Sequence, residues 1–175
     1  METAILGGGC FWCLDAVYRQ VRGIESVTTG YAGGQSTNPT YEQVSAGNSG
    51  HAEVVQLEFD PGLINYRQIL EIFWGVHDPT TANRQGNDIG PQYRSIILYQ
   101  GPSQQAAATK SLGEAQKLWD KPIVTQLKPL DDFYRAESYH QNYFAKNPAQ
   151  AYCQLIINPK LDKFRRHFNR WLKTA

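Results

Sequence analysis

The chain has 175 residues, a formal net charge of +1 at pH 7, 41% hydrophobic residues and 19% charged residues. This length is typical of one domain with a substantial buried core. The near-neutral charge gives no reason to expect nucleic acid or an anionic membrane as a partner, and three cysteines are too few for a disulfide scaffold.

The N-terminus lacks the basic start and the long apolar core of a signal peptide. No apolar run in the sequence approaches the length of a membrane span. We therefore expect a protein of the reducing cytoplasm, where a reactive cysteine is more common than a structural disulfide.

The first predicted elements surround a glycine-rich stretch. Ala4-Ile5-Leu6 predicts a strand, and apolar residues at helical spacing predict a helix over 14–21. Between them, three glycines allow a sharp turn, so Cys10 lies where the strand gives way to the helix. Because a helix N-terminus lowers the pKa of a thiol, we predict a cysteine nucleophile next to Phe11 and Trp12. The alternative is a tight turn with a buried, unreactive thiol.

The rest of the chain alternates irregularly between strand and helix patterns. Strands are predicted over 24–31, 53–59, 95–99 and 123–127, and helices over 66–77, 102–119, 133–146 and 161–172. Two long polar loops, 32–50 and 80–92, interrupt these elements, and such loops are often functional. We expect one α+β or mixed α/β domain spanning 1–175.

The loops and their borders supply polar candidates for catalysis: Tyr41, Glu53, Asp88 and Tyr93. A thiolate that attacks a polarised centre needs a group to protonate or stabilise the leaving oxygen, and a carboxylic acid and two phenols can do this. The alternatives are rim tyrosines, a solvated glutamate and a turn aspartate. The histidines show no metal-ligand spacing with the cysteines, so we expect no metal.

Cys10 and Cys13 also form a C-x-x-C pattern, which is the spacing of a thioredoxin-like redox pair. The strand order typical of thioredoxin is not apparent around it. Cys153 lies far away in sequence before an apolar run, and in isolation it is typical of a core thiol.

An ordered set of motifs resembles the A-type peptide methionine sulfoxide reductases over about residues 4–160. These motifs are Gly9-Cys10-Phe11-Trp12, Gly30-Tyr31-Ala32-Gly33-Gly34, Tyr41, Gly50-His51-Ala52-Glu53, His77-Asp78-Pro79, Gln85-Gly86-Asn87-Asp88, Gln92-Tyr93-Arg94-Ser95 and Glu137-Ser138-Tyr139-His140-Gln141. The resemblance implies thioredoxin-dependent reduction of the S epimer of methionine sulfoxide, free or in proteins, and hence protein repair. It also implies a mixed α/β domain around a central sheet. We further expect a monomer that needs no cofactor.

The resemblance also assigns roles by position. It implies that Cys10 is the nucleophile and that Glu53, with a pKa raised by burial, protonates the sulfoxide oxygen. The other implied roles are a pocket for the sulfoxide methyl group at Phe11 and Trp12, hydrogen bonds to the oxygen from Tyr41 and Tyr93, and substrate placement by Asp88. Cys10 would become a sulfenic acid, which a second thiol converts to a disulfide.

That second, resolving thiol has three candidates. The family usually carries it in its C-terminal part, which favours Cys153. Cys13, where many relatives have glycine, competes because it lies one helical turn from Cys10, although two residues on a rigid helical turn need a particular geometry to form a disulfide. In a third possibility, an external thiol attacks the sulfenic acid directly.

Two other functions remain as alternatives to the reductase. A general dithiol oxidoreductase would use Cys10 and Cys13 and would not need Glu53. A non-catalytic peptide-binding domain would bind a methionine-like side chain with its aromatic residues and would not need Cys10.

Overall fold

A six-stranded sheet forms the centre of the computed structural model, which describes residues 1–174. Its strands are β1 (Glu2–Gly7), β2 (Ile24–Ala32), β3 (Ala52–Phe59), β6 (Ile96–Tyr99), β7 (Gln126–Pro129) and β8 (Phe133–Arg135), in the order β7-β6-β1-β3-β2-β8. All neighbouring pairs are antiparallel except β6 and β7, which are parallel. The short strands β4 (Arg84–Gln85) and β5 (Asp88–Ile89) form a separate hairpin.

Helices pack around this sheet. They are α1 (Phe11–Tyr18), α2 (Tyr41–Ser45), α3 (Tyr66–Val76), α4 (Gly101–Gln116), α5 (Tyr143–Lys146) and α6 (Asn158–His167). A π-helical turn, Cys153–Ile157, leads directly into α6, and 3-10 turns cover Pro91–Tyr93, Ser138–His140 and Asn169–Trp171. Pro159, in the first turn of α6, has no N–H to donate back into the preceding turn, which is consistent with the wider π geometry there.

Strand β3 lies in the middle of the sheet, between β1 and β2, and both of its faces contribute apolar side chains to the core. Val55 and Leu57 belong to the main core, whereas Ala52 and Val54 belong to a smaller cluster with Ile96. Pairing with β2 sets Glu53 opposite Tyr31. The carboxyl group of Glu53 is thus buried in the protein interior, whereas Glu58 on the same strand is exposed.

Two helices begin with a reciprocal side-chain cap. At the start of α2, Thr40 accepts from the N–H of Gln43, and the Gln43 side chain accepts from the N–H of Thr40. Asn65 and Gln68 form the same arrangement at the start of α3. These capping boxes satisfy N–H groups that a helix leaves unpaired in its first turn.

The predicted mixed sheet flanked by helices in one domain is confirmed. The prediction of a helix over 133–146 is wrong in its first half, because Phe133–Arg135 forms β8 at the edge of the sheet, paired with β2. This pairing requires Gly30, since a Cβ there would overlap the ring of Phe133. The strand predicted over 123–127 begins instead at Gln126.

None of the helices formed by residues 1–174 combines the length and the apolar character that crossing a bilayer requires.

Candidate active site

The glycine-rich turn brings Cys10 to the start of α1. Gly9 adopts φ +88°, and its N–H donates to the carbonyl of Tyr93 at 3.2 Å. A Cβ on Gly9 would lie 2.7 Å from Cγ of Gln85, so only glycine fits this turn. Cys10 is the N-cap residue of α1, with extended backbone dihedrals, and 8% of its surface is exposed. The predicted strand-to-helix position of the cysteine is therefore confirmed.

The predicted lowering of the Cys10 pKa is wrong. Burial raises the pKa of the thiol well above its ordinary value, and the charges of Glu53, Cys13 and Asp88 raise it further. The N–H of Trp12 at the helix start lowers the pKa, as expected of a helix N-terminus, but this effect is smaller than that of burial. The resting thiol is thus protonated at neutral pH and needs a partner that takes its proton during attack.

Glu53 lies beside Cys10 and is almost completely buried, with 1% of its surface exposed. Its Oε1 accepts from the N–H of Phe11, the residue after the nucleophile candidate, at 3.1 Å. Burial raises the pKa of Glu53 to about 8, the N–H of Phe11 opposes this, and the charge of Asp88 adds to it. The carboxyl group therefore carries a proton at pH 7.

The aromatic residues after Cys10 differ in exposure. Phe11 is fully buried, and its ring packs against Tyr31 and His140 with ring centroids 5.7 and 5.1 Å apart. Trp12 is partly exposed and stacks on Tyr143 with centroids 3.7 Å apart and planes 4° apart. Trp12 thus has uncovered ring surface, whereas Phe11 lies in the core.

His140 fixes the orientation of Trp12. Trp12 Nε1 donates to His140 Nδ1 at 3.0 Å, which leaves the proton of the neutral ring on Nε2. Burial lowers the pKa of His140, so the neutral form persists at pH 7. The ring of Tyr41 also packs on His140, with centroids 4.4 Å apart. His140 therefore connects two residues that the sequence predicted for the site.

Glu137 positions Tyr41 from the other side. Its Oε2 accepts from the N–H of Tyr41 and its Oε1 from the hydroxyl of Tyr31, both at 2.9 Å. Burial alone would raise the pKa of Glu137, but these donors hold it below its usual value. The sequence interpretation assigned no role to Glu137 or His140, although both lie in the quoted motif 137–141.

Tyr41 and Tyr93 both belong to the surroundings of Cys10. Burial raises the pKa of each phenol, and the charges of Glu53 and Cys10 raise both further. Both hydroxyls therefore remain protonated at neutral pH and can donate hydrogen bonds. The two predicted phenols, the acid and the thiol thus share one site.

Asp88 takes part in a chain of contacts that reaches Cys13. The hydroxyl of Tyr152 donates to Asp88 Oδ2 at 2.6 Å and lies 3.7 Å from Cys13 Sγ. Tyr152 had no predicted role, and only its position next to Cys153 could have drawn attention to it. Cys153 itself lies in the π turn and is fully buried. All three cysteines are free.

Among residues 1–174, no group of three or more His, Cys, Asp or Glu side chains is arranged to hold a metal ion. The chemistry available at this site is that of a thiol, a neutral carboxylic acid and phenols.

Comparison with known proteins identifies the family. A profile described as peptide methionine sulfoxide reductase matches residues 2–172. The peptide methionine sulfoxide reductase MsrA of Leptospira borgpetersenii is 60% identical over 164 residues, which cover 94% of this chain and 93% of that protein.

Solved structures agree with this result. The reduced form of Mxr1 from Saccharomyces cerevisiae superposes with a TM-score of 0.83 at 35% identity, covering 87% of this chain and 88% of Mxr1. The same yeast protein in complex with Trx2 gives a TM-score of 0.59 at 26% identity, covering 81% and 84% of the two chains. The chain therefore belongs to the peptide methionine sulfoxide reductase family and is an oxidoreductase that reduces methionine sulfoxide with its thiols.

Proposed function

We propose that this chain reduces the S epimer of methionine sulfoxide, free or within proteins, with Cys10 as the nucleophile and Glu53 as the acid. One observation carries the proposal: the protonated carboxyl group of Glu53 is hydrogen-bonded to the residue next to Cys10. A sulfoxide sulfur is a poor electrophile until its oxygen is protonated or strongly hydrogen-bonded. A neutral carboxylic acid beside the thiol can donate that proton.

The first step transfers oxygen. The sulfur of Cys10 attacks the sulfoxide sulfur and forms an S–S bond while Glu53 gives its proton to the sulfoxide oxygen. The S–O bond breaks, and the hydroxide released attacks the Cys10 sulfur. The S–S bond then breaks as methionine leaves, so Cys10 ends as a sulfenic acid and the thiol supplies the two electrons. The proton lost by the thiol replaces the one that Glu53 gave, and the carboxyl group is neutral again.

The remaining side chains hold the substrate. Tyr41 and Tyr93 donate hydrogen bonds to the sulfoxide oxygen, because both phenols stay protonated near neutral pH. The exposed surface of Trp12 contacts the methyl group, and Phe11 supports it through the shared packing on His140. Asp88, oriented by the Tyr152 hydroxyl, helps to place the substrate.

A second thiol then condenses with the sulfenic acid, and thioredoxin reduces the resulting disulfide by thiol exchange. The yeast relative that was solved in complex with Trx2 supports thioredoxin as the reductant. We place the reaction in the reducing cytoplasm, where it repairs oxidised proteins, because three cysteines are too few for the disulfide scaffold of a secreted domain. We take residues 1–175 as one catalytic domain, and the family match over 2–172 supports this extent.

The test is a comparison of the two sulfoxide epimers. The protein is supplied with thioredoxin, thioredoxin reductase and NADPH, and the consumption of S- and R-methionine sulfoxide is followed separately. We expect the S epimer alone to be consumed, and we expect Cys10→Ser, which keeps a hydroxyl at the N-cap, to release no methionine. Consumption of both epimers at equal rates would refute the assigned stereochemistry. Full activity of Cys10→Ser would refute the assigned nucleophile.

A further inference from the structure

Cys10 and Cys13 occupy the N-cap and third positions of helix α1, the two positions that a capping box uses. Cys10 is the N-cap of α1, Cys13 is the third helical residue, and the N–H of Cys13 donates to the carbonyl of Cys10 at 3.1 Å. In α2 the same two positions hold the capping box of Thr40 and Gln43, and in α3 they hold that of Asn65 and Gln68. In α1 this pair of positions carries two thiols.

The N-cap position removes the geometric objection to a disulfide within a helical turn. Between residues three apart inside a helix the Cβ atoms are about 5–6 Å apart, whereas a disulfide needs about 3.5–4.5 Å. Cys10 is not inside the helix, because its φ of −63° and ψ of 129° are extended. An N-cap side chain can therefore fold over the first turn, as it does in a capping box.

Two neighbours of Cys13 favour its thiolate against the effect of burial, whereas the charges of Asp88 and Glu53 oppose it. Burial raises the pKa of Cys13, but the charge of Lys160 and the Tyr152 hydroxyl, 3.7 Å from Cys13 Sγ, lower it. Burial also raises the pKa of Cys153. The thiolate is the form that attacks a sulfenic acid or a disulfide.

Cys153 lies in a segment that is held in place. It is fully buried at the start of the π turn, and the preceding residue, Tyr152, is tied to the β4–β5 hairpin through Asp88 at 2.6 Å. Cys13, by contrast, is close enough for its charge to raise the pKa of Cys10.

We propose that Cys13, rather than Cys153, is the resolving cysteine of this reductase. The inference rests on the function proposed above. Cys13 Sγ attacks the sulfenic sulfur of Cys10, an S–S bond forms and the S–O bond breaks. The hydroxyl group leaves and takes the proton of Cys13 as water, so no further oxidant or reductant enters. The product is a Cys10–Cys13 disulfide at the N-terminus of α1.

The sequence makes this disulfide easy to identify. Trypsin cuts after Arg19, Lys146 and Lys160, so Cys10 and Cys13 lie in one peptide, 1–19, and Cys153 lies in another, 147–160. The wild-type protein is incubated with S-methionine sulfoxide without a reductant, quenched when methionine release ends, alkylated and digested. We expect one methionine per chain, a peptide 1–19 that has lost two hydrogens and no alkylation there, and an alkylated Cys153.

Two variants form a matched pair of controls. Cys153→Ala is expected to keep thioredoxin-dependent turnover within a factor of about two, because removing a buried thiol at this site affects packing alone. Cys13→Ser keeps a hydroxyl beside Tyr152. It should still release one methionine in the first turnover, which also proves that it folds. Its Cys10 sulfenic acid should then persist and react with dimedone, and its turnover with thioredoxin should fall on the order of tenfold or more, because the intramolecular attack is lost.

The outcomes separate the two proposals. Methionine release with a cross-link between peptides 1–19 and 147–160 through Cys10, or unchanged turnover of Cys13→Ser, would overturn the role of Cys13 and leave the reductase intact. No methionine from the wild-type protein would overturn the proposed function and this inference together.

Discussion

Replacing Glu53 with glutamine tests whether the buried carboxyl group is neutral in the folded protein. The folded-state pKa is raised from 4.5 to about 8 by burial. The stability that this group contributes is therefore fully present below pH 4.5 and is lost as the pH rises through 8. Each pH unit in this window changes the free energy of unfolding by about 1.4 kcal/mol, so the full change is about 5 kcal/mol.

Glutamine has nearly the same shape, keeps an oxygen for the N–H of Phe11 and does not ionise. Relative to the wild type, Glu53→Gln should therefore gain stability steadily between pH 4.5 and 8, and the difference should be flat below pH 4.5. The assay is urea unfolding of both proteins, fully reduced, at half-unit pH intervals, because the difference between the two curves cancels every other titrating group. Parallel curves across this range would refute a raised pKa for Glu53.

The same substitution should remove the acid from the reaction. The first-turnover rate of methionine release should fall by about 10²- to 10⁴-fold, the usual contribution of a general acid. In the wild type this rate should decline above about pH 8, where Glu53 loses its proton, and Glu53→Gln should lack that decline. An unchanged rate would mean that the phenols alone activate the sulfoxide.

Three further predictions follow from individual contacts. Tyr152→Phe removes the hydroxyl between Asp88 and Cys13. Disulfide formation after the first turnover should therefore slow several-fold, and methionine release below saturating sulfoxide should slow as well because Asp88 loses its orienting contact; unchanged rates of both steps would refute these two roles. His77 is buried and its pKa is lowered by burial to about 4, so its contribution to stability is present above pH 6.5 and lost on acidification. Between pH 6.5 and 4 the wild type should lose about 3 kcal/mol relative to His77→Gln, and equal slopes in urea unfolding would contradict this. Phe11→Ala empties a fully buried site and should lower the unfolding free energy by about 3–5 kcal/mol; a loss below about 1 kcal/mol would mean that the core collapses into the space.

Local patterns in the sequence were sufficient for much of the sheet and for the position of Cys10. The apolar run of β1, the glycines after it and the helical spacing beyond them all act within about twenty residues, where periodicity is informative. Strand β8 could not be predicted in the same way. Phe133–Arg135 is extended because it pairs with Gly30 and its neighbours about a hundred residues earlier, and no local pattern records that partner.

The first turn of α2 was missed although its pattern was present. Thr40 and Gln43 have the spacing of a capping box, but helix α2 has five residues and lies inside a segment rich in glycine and serine. The sign of the Cys10 pKa shift was wrong for a different reason. A helix N-terminus can be read from the sequence, whereas the burial that outweighs it depends on the packing of distant segments.

The raised pKa of Glu53 was predicted because an acid that donates a proton near pH 7 must be desolvated, and the structure confirms the burial and the shift. The network around it, with Glu137 on Tyr41 and His140 on Trp12, required the structure. These contacts join residues that are about 100 positions apart and become neighbours only when β2 pairs with β8.

The most direct test of the central claim is a single turnover in a protein whose sulfenic acid cannot be resolved internally. The variant Cys13→Ser combined with Cys153→Ala is mixed with S-methionine sulfoxide and dimedone without any reductant. Oxygen transfer to Cys10 predicts one methionine per chain and one dimedone adduct, located on Cys10. Methionine release without modification of Cys10, or an adduct elsewhere in the chain, would contradict the account.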